Sequence, residues 1–104
     1  MVKSMEVLQE DFRAKTPKSI QQWQAGKPVM PAGVMKGAYF RAPNPVYVDH
    51  AKDCYLFDID GNRYVDFINS SFALPLGHNH AAIREAVSRQ LEKGTFFTAH
   101  NETE

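Results

Sequence analysis

Apolar positions near the start of the chain follow the spacing of a helix. Ile20 and Trp23 fall three residues apart, as expected on the inner face of a helix. Thr16 and Pro17 precede them as a helix cap and a first helical residue, and Gly26 is placed to end the helix. The sequence therefore predicts a break between two helical segments at Thr16-Pro17.

No regular period continues through the next segment, "GKPVMPAGVMKGAYFRAPNP", which contains four prolines in twenty residues. Irregular segments of this length inside compact proteins are usually functional or disordered. Met30, Val34, Tyr39 and Phe40 make this one unlike a solvated linker. We therefore expect a long irregular loop.

From Pro45 onward the period changes to two. The stretch "PVYVDH" alternates, and "CYLFDIDGNRYVDFI" contains two apolar runs around Asp60, Gly61 and Asn62. These three residues are typical of a tight hairpin. The pattern predicts a three-stranded antiparallel meander.

A second helical pattern follows the connection "NSSFALPLG". Asn79 is placed as a helix cap, Gly94 as the helix end, and the apolar or inward positions between them recur at three and four residues: Ile83, Ala86, Val87, Gln90 and Leu91. The tail "TFFTAHNETE" contains no second covering helix. Because a three-stranded sheet covered on one side exposes its other face, we expect an incomplete N-terminal piece.

Composition narrows the class of protein. The 104 residues are 43% hydrophobic, and twelve basic residues balance twelve acidic ones, as in an ordinary folded protein. Nucleic-acid binding is not expected without a basic excess. Cys54 is the only cysteine and cannot form an internal disulfide. No apolar run is long enough to cross a membrane and the start is not of signal-peptide type, so we expect a cytoplasmic protein.

Two short motifs suggest metal binding at first sight. His78 and His80 flank the predicted helix cap, where their side chains would diverge, and no cysteine or acid cluster completes a tetrahedral zinc site. The run "DIDGN" resembles the start of a calcium loop, but Gly61 is fourth rather than sixth and the twelfth residue is Asn69 instead of glutamate. The sequence favours a structural histidine pair and a hairpin turn, and predicts no metal site.

Two other stretches have both a structural and a functional interpretation. Ser70 and Ser71 offer hydroxyls, but no nucleophile-elbow pattern surrounds them, so a turn is the simpler interpretation. Phe96 and Phe97 follow the end of the last helix. They would serve as core residues or as the wall of an apolar ligand pocket.

The order of motifs resembles a known family. The pattern aspartate-x-aspartate-glycine-x-x-tyrosine-x-aspartate begins at Asp58 and is followed by glycine-histidine-x-histidine before a helix. From about Ser19 to its end, the chain resembles the N-terminal segment of class III pyridoxal-phosphate aminotransferases, a group that includes glutamate-1-semialdehyde aminomutase. It departs from that pattern at Ala81, where relatives usually have proline.

The resemblance implies an α/β enzyme of fold type I in which residues 1–104 form the N-terminal segment of the small domain, near a homodimer interface. Such enzymes move an amino group between an amino acid or amine and a carbonyl acceptor, with pyridoxal phosphate as electron sink and a lysine as its Schiff-base partner. The phosphate-binding turn and the Schiff-base lysine come later in the family's order than Glu104. We therefore expect no catalytic residue and no activity in this chain alone.

The resemblance also implies substrate-side residues. Lys36 matches a loop position where relatives acting on β-amino acids carry an arginine for the substrate carboxylate, and Arg41 lies close enough in sequence to replace it. Ser71 matches a pocket-facing aromatic residue of the aminomutases, which favours a transaminase. Phe96 and Phe97 match an aromatic pair that reaches toward the neighbouring subunit's active site.

Two other functions remain open on the sequence. One is a glutamate-1-semialdehyde 2,1-aminomutase-like fragment. The other is a free-standing, non-catalytic interaction module that docks through the exposed face of its meander.

Overall fold

Two helices open the chain and meet where the sequence predicts a break. The computed structural model describes residues 3–102, so the ends of the predicted segment 1–104 lie outside the description. Helix α1 covers Met5–Lys15 and helix α2 covers Pro17–Gly26. Thr16 separates them, and the predicted break and the predicted end of α2 are both confirmed.

The segment after α2 is irregular, as predicted, but it is folded against that helix. Two short 3-10 turns cover Pro31–Gly33 and Gly37–Tyr39. Trp23 of α2 donates a hydrogen bond from Nε1 to the carbonyl of Ala32 at 2.9 Å, and its ring centroid lies 5.5 Å from that of Phe40. The tryptophan therefore contacts the irregular segment at two points.

Three antiparallel strands form the predicted meander. They are β1 (Val48–Lys52), β2 (Tyr55–Asp58) and β3 (Arg63–Val65), in the order β1-β2-β3. Gly61, in the turn between β2 and β3, has a φ of 90°, a conformation that glycine adopts without a steric cost. The predicted hairpin is thus confirmed.

The first strand begins later than the alternation of "PVYVDH" predicts. The backbone N–H of Tyr47 donates to Ser19 Oγ of helix α2 at 3.3 Å. Its carbonyl accepts from Ile59 at 2.9 Å. Strand β1 therefore begins at Val48, after a residue that is bonded to the helix through its N–H and to the chain following β2 through its carbonyl.

A turn and a longer helix complete the chain. The turn α3 covers Asn69–Phe72 and helix α4 covers Ala81–Lys93, followed by Gly94 as predicted. The prediction that Asn79 caps α4 is wrong, because its φ is 55° whereas a capping residue needs an extended backbone. His80 occupies the cap position, without a side-chain capping bond.

Packing depends on polar contacts more than on an apolar core. Among residues 3–102 no aliphatic, aromatic or sulfur-containing side chain is fully buried. The radius of gyration is 18.1 Å, against about 13 Å for a compact domain of this length. The apolar face of α4 is correspondingly open: Ile83, Val87 and Leu91 are 52%, 52% and 61% exposed.

Within the described part of the chain, no helix has the length and apolarity that crossing a bilayer requires.

Candidate functional site

Asp58 ends strand β2 and organises the hairpin turn. Its Oδ1 accepts from the backbone N–H groups of Asp60 and Asn62 at 3.0 and 2.7 Å. Its Oδ2 accepts from Asn62 Nδ2 at 2.9 Å and from the Tyr64 hydroxyl at 2.8 Å. Burial acts to raise the pKa of Asp58, but these hydrogen bonds outweigh burial and hold that pKa below its usual value. All four hydrogen bonds to this carboxylate come from the turn and from the strand that follows it.

The Tyr64 hydroxyl shares this arrangement. Its burial and its hydrogen bond to Asp58 raise the pKa of Tyr64 well above the usual value. The hydroxyl therefore stays protonated and acts as a donor to the hairpin.

Asp60 joins the hairpin to the start of helix α2. Its carboxylate accepts from the backbone N–H groups of Lys18 and Ser19 at 2.6 and 2.9 Å, and from Ser19 Oγ at 2.7 Å. The sequence predicts that Thr16 caps this helix, but its hydroxyl instead donates to the carbonyl of Phe12 at 2.9 Å. Asp60 supplies the cap from 41 residues beyond Ser19 in the chain, which a local pattern could not predict.

Asp66 and His78 form a partly buried pair beside the sheet. His78 Nε2 lies 2.7 Å from Asp66 Oδ2, and the two side chains are 14% and 10% exposed. Asp66 Oδ1 accepts from the backbone N–H groups of Ile68 and Asn69, both at 2.9 Å. The hydrogen bond from His78, followed by that from Asn69, lowers the pKa of Asp66.

The histidine pair is therefore split between two structural positions. His78 also pairs through its backbone with Asp53, at 2.7 and 3.0 Å, and a Cβ on the preceding Gly77 would lie 2.6 Å from the Asp53 carbonyl oxygen. Only glycine fits there. His80 lies at the exposed start of α4. Among residues 3–102, no three histidine, cysteine or acidic side chains are grouped so as to hold a metal ion.

Turn α3 has an unusual backbone. Asn69, Ser70, Ser71 and Phe72 have φ angles of 47°, 54°, 59° and 70°. This left-handed conformation costs an L-residue about 1–2 kcal/mol, and non-glycine residues usually adopt it singly. Asp66 holds the turn at its start. Strain of this kind tends to cluster at functional sites. Turn α3, which contains Ser71, is therefore a candidate functional element.

Lys36 and Arg41 flank the second 3-10 turn. Lys36 is exposed, and its Nζ lies 5.0 Å from the centroid of the Tyr39 ring. Arg41 Nη1 donates to the carbonyls of Ala38 and Phe40 at 2.7 and 2.9 Å. Both bonds use one nitrogen, so the other N–H groups of the guanidinium are not engaged by them.

A cavity of about 440 Å³ lies beside this turn, and Arg41 is part of its wall. Asn44, which sequence reasoning missed, is also part of that wall. Its position between two prolines marks a constrained backbone, but nothing in the sequence indicates that its side chain is buried. The structure places Lys36 and Arg41 at one turn.

The remaining predicted site residues lie elsewhere in the chain. Ser71 is on turn α3, and Phe96 and Phe97 follow helix α4. Phe96 is 93% exposed and Phe97 is 44% exposed. The cavity beside Arg41 is lined by none of these three residues. The roles predicted for Ser71, Phe96 and Phe97 therefore concern parts of the surface other than this cavity.

Comparison with known proteins gives a family match. The model of the family described as "Aminotransferase class-III" matches residues 38–104. A glutamate-1-semialdehyde 2,1-aminomutase from Methanocaldococcus jannaschii is 38% identical over 90 residues, which are 86% of this chain and 21% of that protein.

Solved structures agree in fold. A β-phenylalanine aminotransferase from Variovorax paradoxus matches with a TM-score of 0.81 and 33% identity, over 89% of this chain and 22% of its own. A transaminase with PLP bound matches with a TM-score of 0.78 and 33% identity, over 84% and 20%. The chain spans about a fifth of the length of the relatives that it matches.

Proposed function

The chain belongs to the class III aminotransferase family, and from that premise we propose that it is the N-terminal part of an enzyme that transfers an amino group from an amino acid or amine to a carbonyl acceptor. The observation that carries the proposal is the family match over residues 38–104. Structural similarity to the Variovorax paradoxus aminotransferase over 89% of the chain supports it independently. On this account residues 1–104 form the first segment of the small domain of a fold type I enzyme.

The cofactor of the complete enzyme is pyridoxal phosphate, and this chain does not contain a full site for it. A lysine that forms a Schiff base near neutral pH is normally desolvated in a pocket. The lysines of the described residues are all exposed: Lys3, Lys15, Lys18, Lys27, Lys36, Lys52 and Lys93. We therefore assign the groups that hold the cofactor to residues outside this sequence, and no catalytic step to this chain.

The contribution of this chain is to bind the substrate. Lys36 and Arg41 supply positive charge at one turn, where either can hold a carboxylate and offset its desolvation. Arginine binds a carboxylate with two parallel hydrogen bonds, which lysine cannot do. Since Lys36 has the freer side chain, it is our first choice for the substrate carboxylate, and Arg41 is the second.

Ser71, Phe96 and Phe97 form the second part of this proposal. Turn α3 presents Ser71 on a strained backbone, and a small hydroxyl leaves room for a substrate larger than an aminomutase accepts. The exposed Phe96 and the half-exposed Phe97 are suited to contact a neighbouring subunit. A homodimer, with the active site close to its interface, is therefore part of the proposal.

An aminomutase is the second candidate. The observation in its favour is the 38% identity to the Methanocaldococcus jannaschii aminomutase. The residue against it is Ser71, which matches an aromatic residue in that group. An aminomutase needs no external carbonyl acceptor, whereas a transaminase needs one. Dependence on an added acceptor therefore distinguishes the two reactions.

A free-standing interaction module that docks through the exposed face of its meander is the third candidate, and the exposure of Val48 on β1 and Val65 on β3 is the observation in its favour. We place the protein in the cytoplasm, without a nucleic-acid or membrane partner. Its balanced charge and its single cysteine support that placement, because secreted small domains usually depend on disulfides.

The test uses the complete protein that carries this sequence. Incubated with β-phenylalanine and a 2-oxo acid, it should produce the amino acid of that 2-oxo acid, and no product should form without the acceptor. Consumption of glutamate-1-semialdehyde without any acceptor would identify an aminomutase instead. Absence of both reactions, together with stable capture of a protein partner, would favour the interaction module.

A further inference from the structure

Asp60 and Gly61 form a peptide linkage that is chemically reactive in an unfolded chain. The backbone nitrogen of the residue after an aspartate can attack the aspartate Cγ, and glycine hinders this attack least because it has no side chain. The sequence contains no other Asp-Gly pair and no Asn-Gly pair. Among the aspartates of this chain, Asp60 is therefore the one at which backbone isomerisation is most favoured.

The isomerisation has two steps and needs only water. In the first step the Gly61 nitrogen bonds to Asp60 Cγ, the C–O bond of the protonated carboxyl breaks, and the N–H proton leaves with that oxygen as water. A five-membered succinimide ring results. In the second step water adds to the main-chain carbonyl carbon of Asp60 and the original peptide C–N bond breaks. The chain then continues through Cβ and Cγ, with a carboxylate on Cα and no change in mass.

The linkage is accessible to water in the folded chain. Gly61 is exposed and Asp60 is only half-buried. Apart from the chain neighbours of Gly61, no atom lies within 4 Å of the position that a Cβ would take there. Burial of the linkage therefore does not prevent the reaction.

Hydrogen bonds to both reacting groups oppose the reaction instead. Asp60 Oδ1 accepts from the Lys18 N–H at 2.6 Å, and Oδ2 accepts from the Ser19 N–H at 2.9 Å and from Ser19 Oγ at 2.7 Å. The Gly61 N–H donates to the carbonyl of Asp58 at 3.0 Å. Because Cγ has to lose one of its oxygens to the attacking nitrogen, the bonds between Asp60 and helix α2 have to break first.

The product of the reaction would not restore these bonds. Isomerisation moves the carboxylate from Cγ to Cα and adds one methylene to the main chain before Gly61. The present turn depends on its length, since Asp58 Oδ1 accepts from the backbone N–H groups of Asp60 and Asn62 at 3.0 and 2.7 Å. A longer main chain with a displaced carboxylate no longer fits the start of α2.

We propose that Asp60-Gly61 is a modification site that reacts only when helix α2 detaches from the hairpin. While the helix is in place, its first N–H groups hold the carboxylate away from the Gly61 nitrogen. When the helix detaches, the linkage isomerises, and the cap is then permanently lost. The site thus makes a transient detachment of α2 irreversible. This inference does not depend on the proposed amino transfer.

The test follows isomerisation in the complete protein, kept at neutral pH and physiological temperature. Peptide mapping with a protease that cleaves before aspartate but not before isoaspartate measures the modified fraction at residue 60. A synthetic peptide of residues 55–65 provides the unprotected rate. The folded protein should react at least about 10-fold more slowly than the peptide, because hydrogen bonds to a charged group have to open first.

A variant assigns the protection to the helix. Ser19→Ala removes one of the three hydrogen bonds to Asp60 and should accelerate isomerisation about 10-fold. Ser88→Ala, at an exposed position of α4, is the matched control and should leave the rate unchanged. If Ser19→Ala does not fold, the wild type in urea below its unfolding transition replaces it. Amide exchange at Lys18 and Ser19 then reports detachment, and isomerisation should rise in proportion.

Either of two results would overturn the proposal: isomerisation of the folded protein at the rate of the peptide, or faster exchange at Lys18 and Ser19 without faster isomerisation. The permanent loss of the cap has its own readout. In the isomerised fraction, exchange at Lys18 and Ser19 should stay fast after native conditions are restored. Slow exchange in that fraction would show that the cap forms again, and would contradict the irreversibility.

Discussion

Three aspartates connect elements that an apolar core would normally hold together. Asp58 closes the hairpin, Asp60 caps a distant helix and Asp66 holds both a strained turn and His78. Each carboxylate accepts at least three hydrogen bonds. Each aspartate of this motif therefore has a structural role as a hydrogen-bond acceptor.

Asp60→Ala should loosen the start of helix α2. Removing a cap of this kind costs about 1–2 kcal/mol, so amide exchange at Lys18 and Ser19 should accelerate about 5- to 30-fold. Hydrogen-exchange mass spectrometry on the complete protein measures this directly. Asp49→Ala, an exposed aspartate on β1, is the control. Equal exchange in both variants would mean that Asp60 does not cap the helix.

Lys36→Ala should raise the KM for a carboxylate-bearing amino donor by an amount worth about 1–3 kcal/mol, and should leave the KM for a simple amine unchanged. Lys36→Arg should restore the affinity, because it keeps the charge. Steady-state kinetics of the complete enzyme provide the measurement, with Lys52→Ala on β1 as control. If both donors lose affinity alike, the loop has only a structural role; if neither does, Arg41 or another residue binds the carboxylate.

At the scale of elements, the sequence predicts the type of each helix and strand well, but it predicts poorly where they begin and what caps them. The period of two predicts the meander, and Gly94 correctly marks the end of α4. The start of β1 and the cap of α4 are predicted wrongly, and Thr16 occupies the predicted cap position of α2 although Asp60 makes the capping hydrogen bonds. Each of these depends on a contact between residues far apart in sequence, or on a backbone angle that the residue type does not reveal.

The left-handed turn α3 gives an unusual stability prediction. Ser71→Gly should raise the melting temperature, because relief of about 1–2 kcal/mol of strain exceeds the entropy that glycine adds to the unfolded chain, about 0.5–1 kcal/mol. The same change at Ser88, inside helix α4, should lower the melting temperature. Calorimetry of both variants tests this, and a decrease at Ser71 as large as that at Ser88 would exclude strain in the turn.

The contribution of Asp66 to the stability of turn α3 should depend on pH. Its pKa is lowered in the folded protein, so its contribution is present above the unfolded value of 3.8 and is lost as the pH falls through the folded pKa. Asp66→Asn should therefore lower the melting temperature more at pH 7 than at pH 3, which lies below the unfolded value. Asp49→Asn should change little at either pH. An equal loss for Asp66→Asn at both pH values would contradict the assignment.

At the scale of the whole molecule, residues 3–102 lack the apolar core that the composition of the chain suggests. Its accessible surface is 8591 Å², against about 5,900 Å² for a compact protein of its mass. The period of α4 predicts which face is apolar, with Ile83 and Val87 upon it, but not what covers that face. Likewise, the sequence indicates Lys36 and Arg41 but not Asn44, because burial of a polar side chain arises only when distant elements meet.

The most direct test of the central claim is the visible absorption spectrum of the complete protein, recorded before and after an amino donor is added. We expect a band near ~410–430 nm that survives dialysis and decreases with the donor, since pyridoxal phosphate bound to a lysine absorbs in that region. The 104-residue chain mixed with pyridoxal phosphate should retain no such band after dialysis. A complete protein without the band, or a dialysis-stable band in the isolated chain, would contradict the account.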